Sequence, residues 1–268
     1  MLPEQFLNRM KQMLGDEFPA FLESYEQDKY QALRINPQKT TISSFMEKSP
    51  FSLKQVPWEK NGFYYQKTDA PGKHPYHAAG VYYIQEPSAM APAAYLEAQP
   101  GERVLDLCAA PGGKSTQIAA AMGGEGLLIS NEIHPARAKI LSENIERMGI
   151  RNGMVINESP QSLAKIFESY FDRIMVDAPC SGEGMFRKNT DACEEWSPEN
   201  VENCAMRQQE ILICAAFMLR PGGRIVYSTC TFAPEENEGT ISRFLEEHPE
   251  FHMVEVPLYE GMSPARPE

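Results

Sequence analysis

The sequence predicts an α/β fold in which a mostly parallel, doubly wound sheet follows a small N-terminal α+β lobe. Three observations carry that expectation. From residue 102 onward, short β-prone runs alternate with segments of helical period, the pattern of a parallel sheet covered on both faces. A glycine turn, Asp106-Leu107-Cys108-Ala109-Ala110-Pro111-Gly112-Gly113-Lys114, joins the first of these runs to the first of these helices. Residues 33–80, by contrast, mix Pro37, Pro50, Pro57, Pro71 and Pro75 with short β-prone stretches such as Gly62-Phe63-Tyr64-Tyr65, which suits an irregular lobe.

Taken in order, residues 3–32 place Phe6, Met10, Met13, Leu14, Phe18, Phe21, Leu22 and Tyr25 at helical spacing. Two short helices broken near Gly15 and Pro19, packed as a cap, are expected there. The lobe should end near Gly80–Pro87. Strands are expected near 103–107, 126–131, 153–157, 172–177 and 223–228, with helices near 113–122, 135–148, 160–169, 197–219 and 235–247. The end of the chain, Ser263-Pro264-Ala265-Arg266-Pro267-Glu268, reads as linker. The expected division is therefore a lobe at 1–85, a main domain at 86–255 and a linker at 256–268.

A chain of 268 residues with 42% hydrophobic and 23% charged content has ordinary globular composition. Met1-Leu2-Pro3-Glu4 lacks the basic flank and apolar stretch of a secretory signal, and no run approaches the roughly 18 apolar residues of a membrane span. A soluble, cytoplasmic protein without a membrane partner is expected. The six cysteines, at 108, 180, 193, 204, 214 and 230, contain no Cys-x-x-Cys pair and match neither a disulfide framework nor a zinc site. Reduced thiols and no metal are expected, with Cys193, Cys204 and Cys214 read as small buried filler.

The formal charge of −12 argues against a protein that grips nucleic acid by bulk electrostatics. Residues 1–85 hold 10 basic and 9 acidic side chains, whereas residues 86–268 hold 15 and 28. A polyanion would be held by the N-terminal segment and by local groups such as Arg187 and Lys188, so low intrinsic affinity for RNA is expected.

The glycine turn imitates a phosphate-binding loop in Gly113-Lys114-Ser115, but the first glycine of that loop would fall at position 108, which is Cys108. The turn better suits a nucleoside cofactor without phosphates, Gly112 and Gly113 letting backbone approach it as the helix begins. A structural turn without cofactor is the alternative. Glu132 closes the second strand, where a carboxylate can accept both hydroxyls of a ribose or, alternatively, favour the dipole of the helix beginning near Pro135. Asp177 ends the strand Ile174-Met175-Val176, and Pro179 and Gly182 restrict the turn that carries Cys180 to the ligand-binding edge of the sheet. Cys230 follows Arg224-Ile225-Val226-Tyr227-Ser228 in the same way. Two thiols at neighbouring strand ends can hold and then release a covalent adduct.

These motifs, namely Cys108 to Lys114, Asp177-Ala178-Pro179-Cys180-Ser181-Gly182-Glu183-Gly184-Met185-Phe186-Arg187-Lys188 and Ser228-Thr229-Cys230-Thr231-Phe232-Ala233-Pro234-Glu235-Glu236-Asn237-Glu238, occur in that order. Over residues 80–250 the chain resembles the Sun family of RNA (cytosine-5)-methyltransferases, especially its bacterial RsmF-like ribosomal RNA branch; Gln85-Glu86-Pro87-Ser88 adds to the likeness. The resemblance implies a Rossmann-like class I methyltransferase that uses S-adenosyl-L-methionine to methylate carbon-5 of a cytosine in RNA, with ribosomal RNA or a ribosomal subunit as partner. It implies cofactor binding by Cys108, Ala109, Ala110, Pro111, Gly112, Gly113, Lys114, Glu132 and Asp177. Cys230 would be the nucleophile, Cys180 would help release product, and Asp177 would also reach the cytosine. Residues 1–85 would then be an RNA-binding lobe. Relatives usually place an acid where this chain has Ser159, and they usually continue past position 268, so 256–268 would lead to a C-terminal RNA-binding domain.

The chemistry explains the thiols. Carbon-5 of cytosine is too electron-poor to take a methyl group directly, and addition of a thiolate to carbon-6 makes it nucleophilic. A proton must afterwards leave carbon-5 so that the thiol can be eliminated, which needs a second group near the ring. The base must be unstacked, and Phe186, Arg187 and Lys188 are either its stacking and phosphate contacts or a solvated loop. Other readings are a transfer RNA enzyme, a catalytically silent RNA-binding or ribosome-assembly protein, a DNA-type enzyme that uses Cys180 and leaves Cys230 unexplained, and a small-molecule methyltransferase that has no need of paired thiols.

Overall fold

The computed structural model describes residues 2–189 and 191–265. Helices α1 (Glu4–Leu14) and α2 (Phe18–Ser24) come first, parted at Gly15. Then follow β1 (Ala32–Ile35), α3 (Ile42–Lys48), β2 (Lys54–Gln55), β3 (Gly62–Tyr64), α4 (Pro75–Ala78) and β4 (Tyr82–Ile84). The four strands form an antiparallel sheet in the order β2-β3-β1-β4, with Leu33 opposite both Phe63 and Ile84. Its core is Leu33, Ile35, Phe45, Phe63 and Tyr82.

After α5 (Ala91–Leu96) the chain alternates β5 (Arg103–Asp106), α6 (Gly113–Met122), β6 (Leu127–Asn131), α7 (Pro135–Met148), β7 (Gly153–Ile156), α8 (Pro160–Ala164) and β8 (Phe171–Asp177). Short α9 (Asp191–Glu195) and long α10 (Pro198–Met218) then lead to β9 (Leu219–Ser228) and α11 (Glu238–Glu247). The five strands are parallel in the order β7-β6-β5-β8-β9. Because successive strand residues face opposite ways, neighbours divide between two cores. Leu105, Ile129, Ile174 and Val176 pack with Ile211, Ala215 and Met218 of α10, while Val104, Leu128 and Met175 pack with Leu96 of α5 and Ile118, Ala119 and Met122 of α6.

The chain runs outward from β5 through β6 to β7, then returns to place β8 on the other side of β5. This reversal opens a crevice at the carboxyl ends of β5 and β8, the usual ligand position in such sheets. Two strand-ending carboxylates, Asp106 and Asp177, stand there.

The two sheets are joined by polar groups as well as apolar ones. Arg34 of β1 is fully buried, and its guanidinium donates to Gln85 Oε1 at 3.1 Å, to Thr116 Oγ1 at 2.6 Å and to the Gly113 carbonyl at 3.0 Å. Burial pulls its pKa down to about 10, which still leaves it cationic. Asn36 donates to the carbonyls of Gly80 and Met148, fastening the lobe to the end of α7.

Three boundaries differ from the sequence expectation. The helix expected at 160–169 stops at Ala164. Strand β9 begins at Leu219 rather than near 223, because the residues before Pro221-Gly222-Gly223 also pair with β8. Phe171 pairs with Leu219, and after a register shift Arg173 pairs with Arg224. Helix α11 starts at Glu238, three residues after the expected 235. Residues of the tail lie against the body, where Tyr95 donates to the Pro257 carbonyl at 2.6 Å and Tyr259 meets Trp58. Arg266, Pro267 and Glu268 of the expected linker lie outside the described residues.

Candidate active site

The loop from β5 to α6 is held on both sides. Ala109 N–H donates to the Asn131 carbonyl at 2.8 Å, and Asn144 and Arg137 of α7 donate to the carbonyls of Pro111 and Ala110. Gly112 sits at φ +112°, a conformation closed to most side chains, and an added Cβ there would also press Leu141 at 3.1 Å. Behind the loop, Ser115 donates to Asp106 Oδ2 at 2.6 Å, while Asp106 Oδ1 is buried with no hydrogen-bond partner.

A cleft of about 210 Å³ opens over this loop. Cys108, Ala109, Ala110, Pro111, Gly113, Lys114 and Asp177 line it, as do Tyr83, Ile84, Gln85, Ala89 and Asp106. Sequence reasoning proposed no site role for the latter five. Asp106 had the same signal as Asp177, a carboxylate ending a strand; Gln85, just past β4, opens a stretch that added to the family likeness without a role, and Tyr83, in β4, carries none. Burial raises the Asp106 carboxyl to about 7 against the opposing pull of Ser115 and Lys114. Burial also drives the Cys108 thiol far above its ordinary range, so this cysteine offers backbone and bulk, not a thiolate.

Glu132 is 3% exposed but is not among the residues lining the cleft. Its Oε1 accepts from His134 N–H at 3.0 Å and its Oε2 meets Arg137 at 3.3 Å, so it caps the start of α7. Ser159 caps α8, accepting from Ser162 N–H at 3.2 Å.

Asp177 is fixed by two bonds. Lys114 Nζ is 2.7 Å from Oδ2, and Ser228 Oγ donates to Oδ1 at 2.7 Å. Beyond Asp177 and Ser228, which are paired in the sheet, the two thiols come together with Cys180 Sγ and Cys230 Sγ 3.3 Å apart. Cys230 is exposed and Cys180 is half-buried. The hydrogen bond from Cys180 pulls the Cys230 thiol below its ordinary pKa, with Lys114 assisting and burial and Asp177 opposing. The same bond, with burial, pushes Cys180 far upward. The two thiols therefore titrate as a pair, in which the proton is favoured on Cys180 and the thiolate on Cys230.

The loop beyond Cys180 corrects one expectation. Phe186 is 5% exposed and packs edge-on to Phe6 of α1 at 5.0 Å, within a core that also holds Met10, Trp196 and Ala233, so it cannot stack on a base. Arg187 donates to the Gln27 carbonyl at 2.8 Å, and Lys188 pairs with Glu86. Of the remaining cysteines, Cys204 is buried and Cys193 and Cys214 are half-buried. Among the described residues no group of His, Cys, Asp and Glu could hold a metal ion, and no helix is long and apolar enough to cross a membrane.

The doubly wound parallel sheet, with its cleft at the strand reversal, has the Rossmann-like class I methyltransferase fold. The chain belongs to the 16S rRNA methyltransferase RsmB/F family, which matches residues 93–266, and residues 2–87 match the N-terminal domain of 16S rRNA methyltransferase RsmF. Ribosomal RNA small subunit methyltransferase F of Erwinia tasmaniensis is 38% identical over 264 residues, covering 94% of this chain and 55% of that protein. The protein of the same name from Escherichia fergusonii is 38% identical over 259 residues, 92% of this chain and 54% of that one. The chain thus spans about half the length of the curated relatives it matches. Among solved structures, a methyltransferase homolog protein from Pyrococcus horikoshii superposes with a TM-score of 0.80 at 30% identity, over 91% of this chain and 78% of that one. NSun6 from Pyrococcus horikoshii, solved with SFG, superposes at 0.81 over 91% and 87% of the two chains; at 20% identity it shows the fold alone.

Proposed function

We propose that the chain methylates carbon-5 of a cytosine in RNA, with S-adenosyl-L-methionine as methyl donor, ribosomal RNA in a ribosomal subunit as substrate and the cytoplasm as its place of work. The observation that carries this reading is the thiol pair, 3.3 Å apart beside the cleft. A small-molecule methyltransferase needs no such pair, and a DNA-type reading leaves Cys230 without work.

The residues fit the donor. Gly113, where a Cβ would press on Gln85 and Tyr83, leaves room for backbone approach on the cleft side, Gly112 gives the loop its positive-φ turn, and Asp106, whose buried Oδ1 has no partner, lines a cleft suited to a cationic sulfonium and its amino acid. Cys108 to Lys114 and Asp177 would hold it, with Glu132 reaching a ribose after parting from Arg137. Bound there, the donor supplies an electrophilic methyl group. Cys230 thiolate adds to carbon-6 of the cytosine, and Asp177, fixed by Lys114 and Ser228, stands beside the ring. Once Cys230 is bonded to carbon, Cys180 loses the anionic acceptor that held its proton, so its pKa falls; it gives that proton up to solvent, and the resulting thiolate takes the carbon-5 proton. Elimination of Cys230 then restores the ring. In this reading residues 86–255 perform the reaction and residues 1–85 contact the RNA.

Calorimetry should show binding of S-adenosyl-L-methionine and S-adenosylhomocysteine but not ATP, and Gly112→Asp should abolish it. Cys230→Ala should be inactive without covalent RNA, whereas Cys180→Ala should leave a protein–RNA adduct stable to denaturing electrophoresis. Loss of activity without adduct in Cys180→Ala, with full turnover in Cys230→Ala, would overturn the assignment of the two thiols. Mass-spectrometric mapping of ribosomal and transfer RNA from a deletion strain identifies the substrate, and an unchanged ribosomal RNA would refute that part.

A further inference from the structure

The proposed exchange of roles between Cys180 and Cys230 needs their sulfurs in contact, yet the two stand on separate loops, 178–188 after β8 and 229–237 after β9. Strand pairing ends at Asp177 and Ser228, with one further bond from Ala178 N–H to the Ser228 carbonyl at 2.8 Å. Other groups must hold the loops beyond that point. Each loop sends a fully buried glutamate into the other. Glu236, from the Cys230 loop, accepts from the backbone N–H of Ser181 at 3.0 Å and from the Ser181 hydroxyl, immediately after Cys180. Glu183, from the Cys180 loop, accepts from the backbone N–H of Phe232 at 3.0 Å, two residues after Cys230.

Further bonds to the two carboxylates come from α1, α10 and the link between α9 and α10. Gln208 of α10 donates to Glu236 at 2.8 Å and also to the Pro179 carbonyl at 3.0 Å. Trp196 donates to Glu183 at 2.9 Å, and Arg9 of α1 pairs with the same oxygen. Between the glutamates, Gly184 N–H donates to the Cys230 carbonyl at 2.6 Å. Burying a carboxylate is costly, and an apolar contact would join two loops at lower cost. What a carboxylate adds is a short, directed, charge-assisted bond that fixes backbone position. Among the described residues Glu236 meets no cation, so its charge is spent wholly on three neutral donors of the loops and α10.

We propose that Glu183 and Glu236 are positioning residues, a reciprocal clamp that holds Cys180 and Cys230 in sulfur contact. Neither carboxylate touches the reacting atoms. The purpose of the clamp rests on the assignment of the two thiols to the reaction, but its geometry does not, and oxidation reads that geometry separately. Hydrogen peroxide converts the Cys230 thiolate to a sulfenic acid with release of hydroxide. The Cys180 sulfur then displaces the sulfenic oxygen, which leaves with the thiol proton as water, and the resulting disulfide is lighter than the dithiol by two hydrogens.

Cross-linking of Cys180 to Cys230, followed by intact and peptide mass, should be fast in the wild-type chain. In Glu236→Ala it should slow about tenfold or more, since a displacement of about 1 Å can cost about a hundredfold in rate. The pH profile for iodoacetamide alkylation of Cys230 should move upward in the same variant as the bond from Cys180 lengthens. Glu236→Gln should restore both readings, because its amide keeps an oxygen for the Ser181 and Gln208 donors and turns its nitrogen toward the Ser181 hydroxyl. If Glu236→Ala does not fold, Ser181→Ala, which removes the hydroxyl's bonds to Glu236 and Thr231 but keeps the backbone bond to Glu236, should show smaller changes in the same direction. Wild-type cross-linking rate and alkylation profile in a folded Glu236→Ala or Ser181→Ala chain would overturn the clamp, while RNA methylation by the wild-type chain would be untouched by that result. Conversely, absent RNA methylation with clamp-dependent cross-linking would overturn the functional reading and leave the clamp standing.

Discussion

At Gly184 an added Cβ would lie 2.5 Å from the Cys230 carbonyl oxygen, a backbone atom that cannot swing aside as a flexible side chain could. Gly184→Ala should therefore push the thiol loops apart, costing about 1–3 kcal/mol of stability as an overpacked site. Its methyl-transfer rate should fall more steeply than its affinity for the methyl donor, since the cleft lies on the other side of Asp177; turnover assays beside calorimetry check this. A second expectation concerns Cys230. The hydrogen bond from Cys180 lowers the Cys230 pKa, so thiolate persists to lower pH than for an ordinary thiol. Cys180→Ala removes that donor, and alkylation of Cys230 at neutral pH should slow, with the profile shifted upward. Asp106 gives a pH test of the opposite kind. Its carboxyl is raised by burial from an ordinary 3.8 to about 7, so its contribution to stability is fully present below about 3.8 and is lost as pH rises through about 7. Asp106→Asn should flatten that part of the stability profile, as followed by denaturant midpoints between pH 4 and pH 8 at roughly unit intervals.

Helix α1 shows what an element's sequence does and does not say about its place. The spacing of Phe6, Met10 and Met13 correctly predicts a helix and its buried face, but nothing in a periodic pattern names the partner. Phe6 is fully buried against Phe186, Trp196 and Phe232, and Arg9 reaches Glu183, so the helix covers the loops that carry the thiols. Phe6→Ala should cost about 3–5 kcal/mol, and hydrogen exchange should show faster opening of residues 178–188 than of β5 or β6. The glycine turn and both thiol motifs were legible because each is contiguous and ends a strand. Phe186 was misjudged because a polar-flanked aromatic beyond a turn looks exposed until another element is found lying on it. Tyr83 and Gln85 were not legible as site residues, since they reach the cleft from the N-terminal lobe and only its docking on the parallel sheet, held in part by buried Arg34, creates their role. The early start of β9 at Leu219 was not legible either, because Pro221-Gly222-Gly223 breaks the β-prone run and only pairing of Leu219 with Phe171 brings that end into the sheet.

For the molecule as a whole, charge limits how RNA can be held. With a net charge of −12, the protein gains little from long-range attraction, so in the proposed reading the near-neutral residues 1–85 would present cations locally. One such place adjoins the thiols. Lys188 is close enough to Cys230 and to Lys29 for both to act on its ionisation, and Lys29 is exposed on the lobe. Burial and then Lys29 lower the Lys188 pKa, which means that two positive groups crowd the mouth of the site with Glu86 as partial compensation. A phosphate arriving there would relieve the repulsion between them, so its gain exceeds that of a contact elsewhere on this acidic surface. Filter binding should accordingly give weak affinity for the whole chain and a shallow salt dependence, reflecting few displaced counterions. Lys29→Glu should weaken RNA binding and reduce the salt slope by about 1, with donor binding in the cleft unchanged. A Lys29→Glu chain with undiminished affinity and slope would place the RNA path elsewhere on the lobe, while a steep slope in the wild-type chain would mean that local clusters outweigh the net charge.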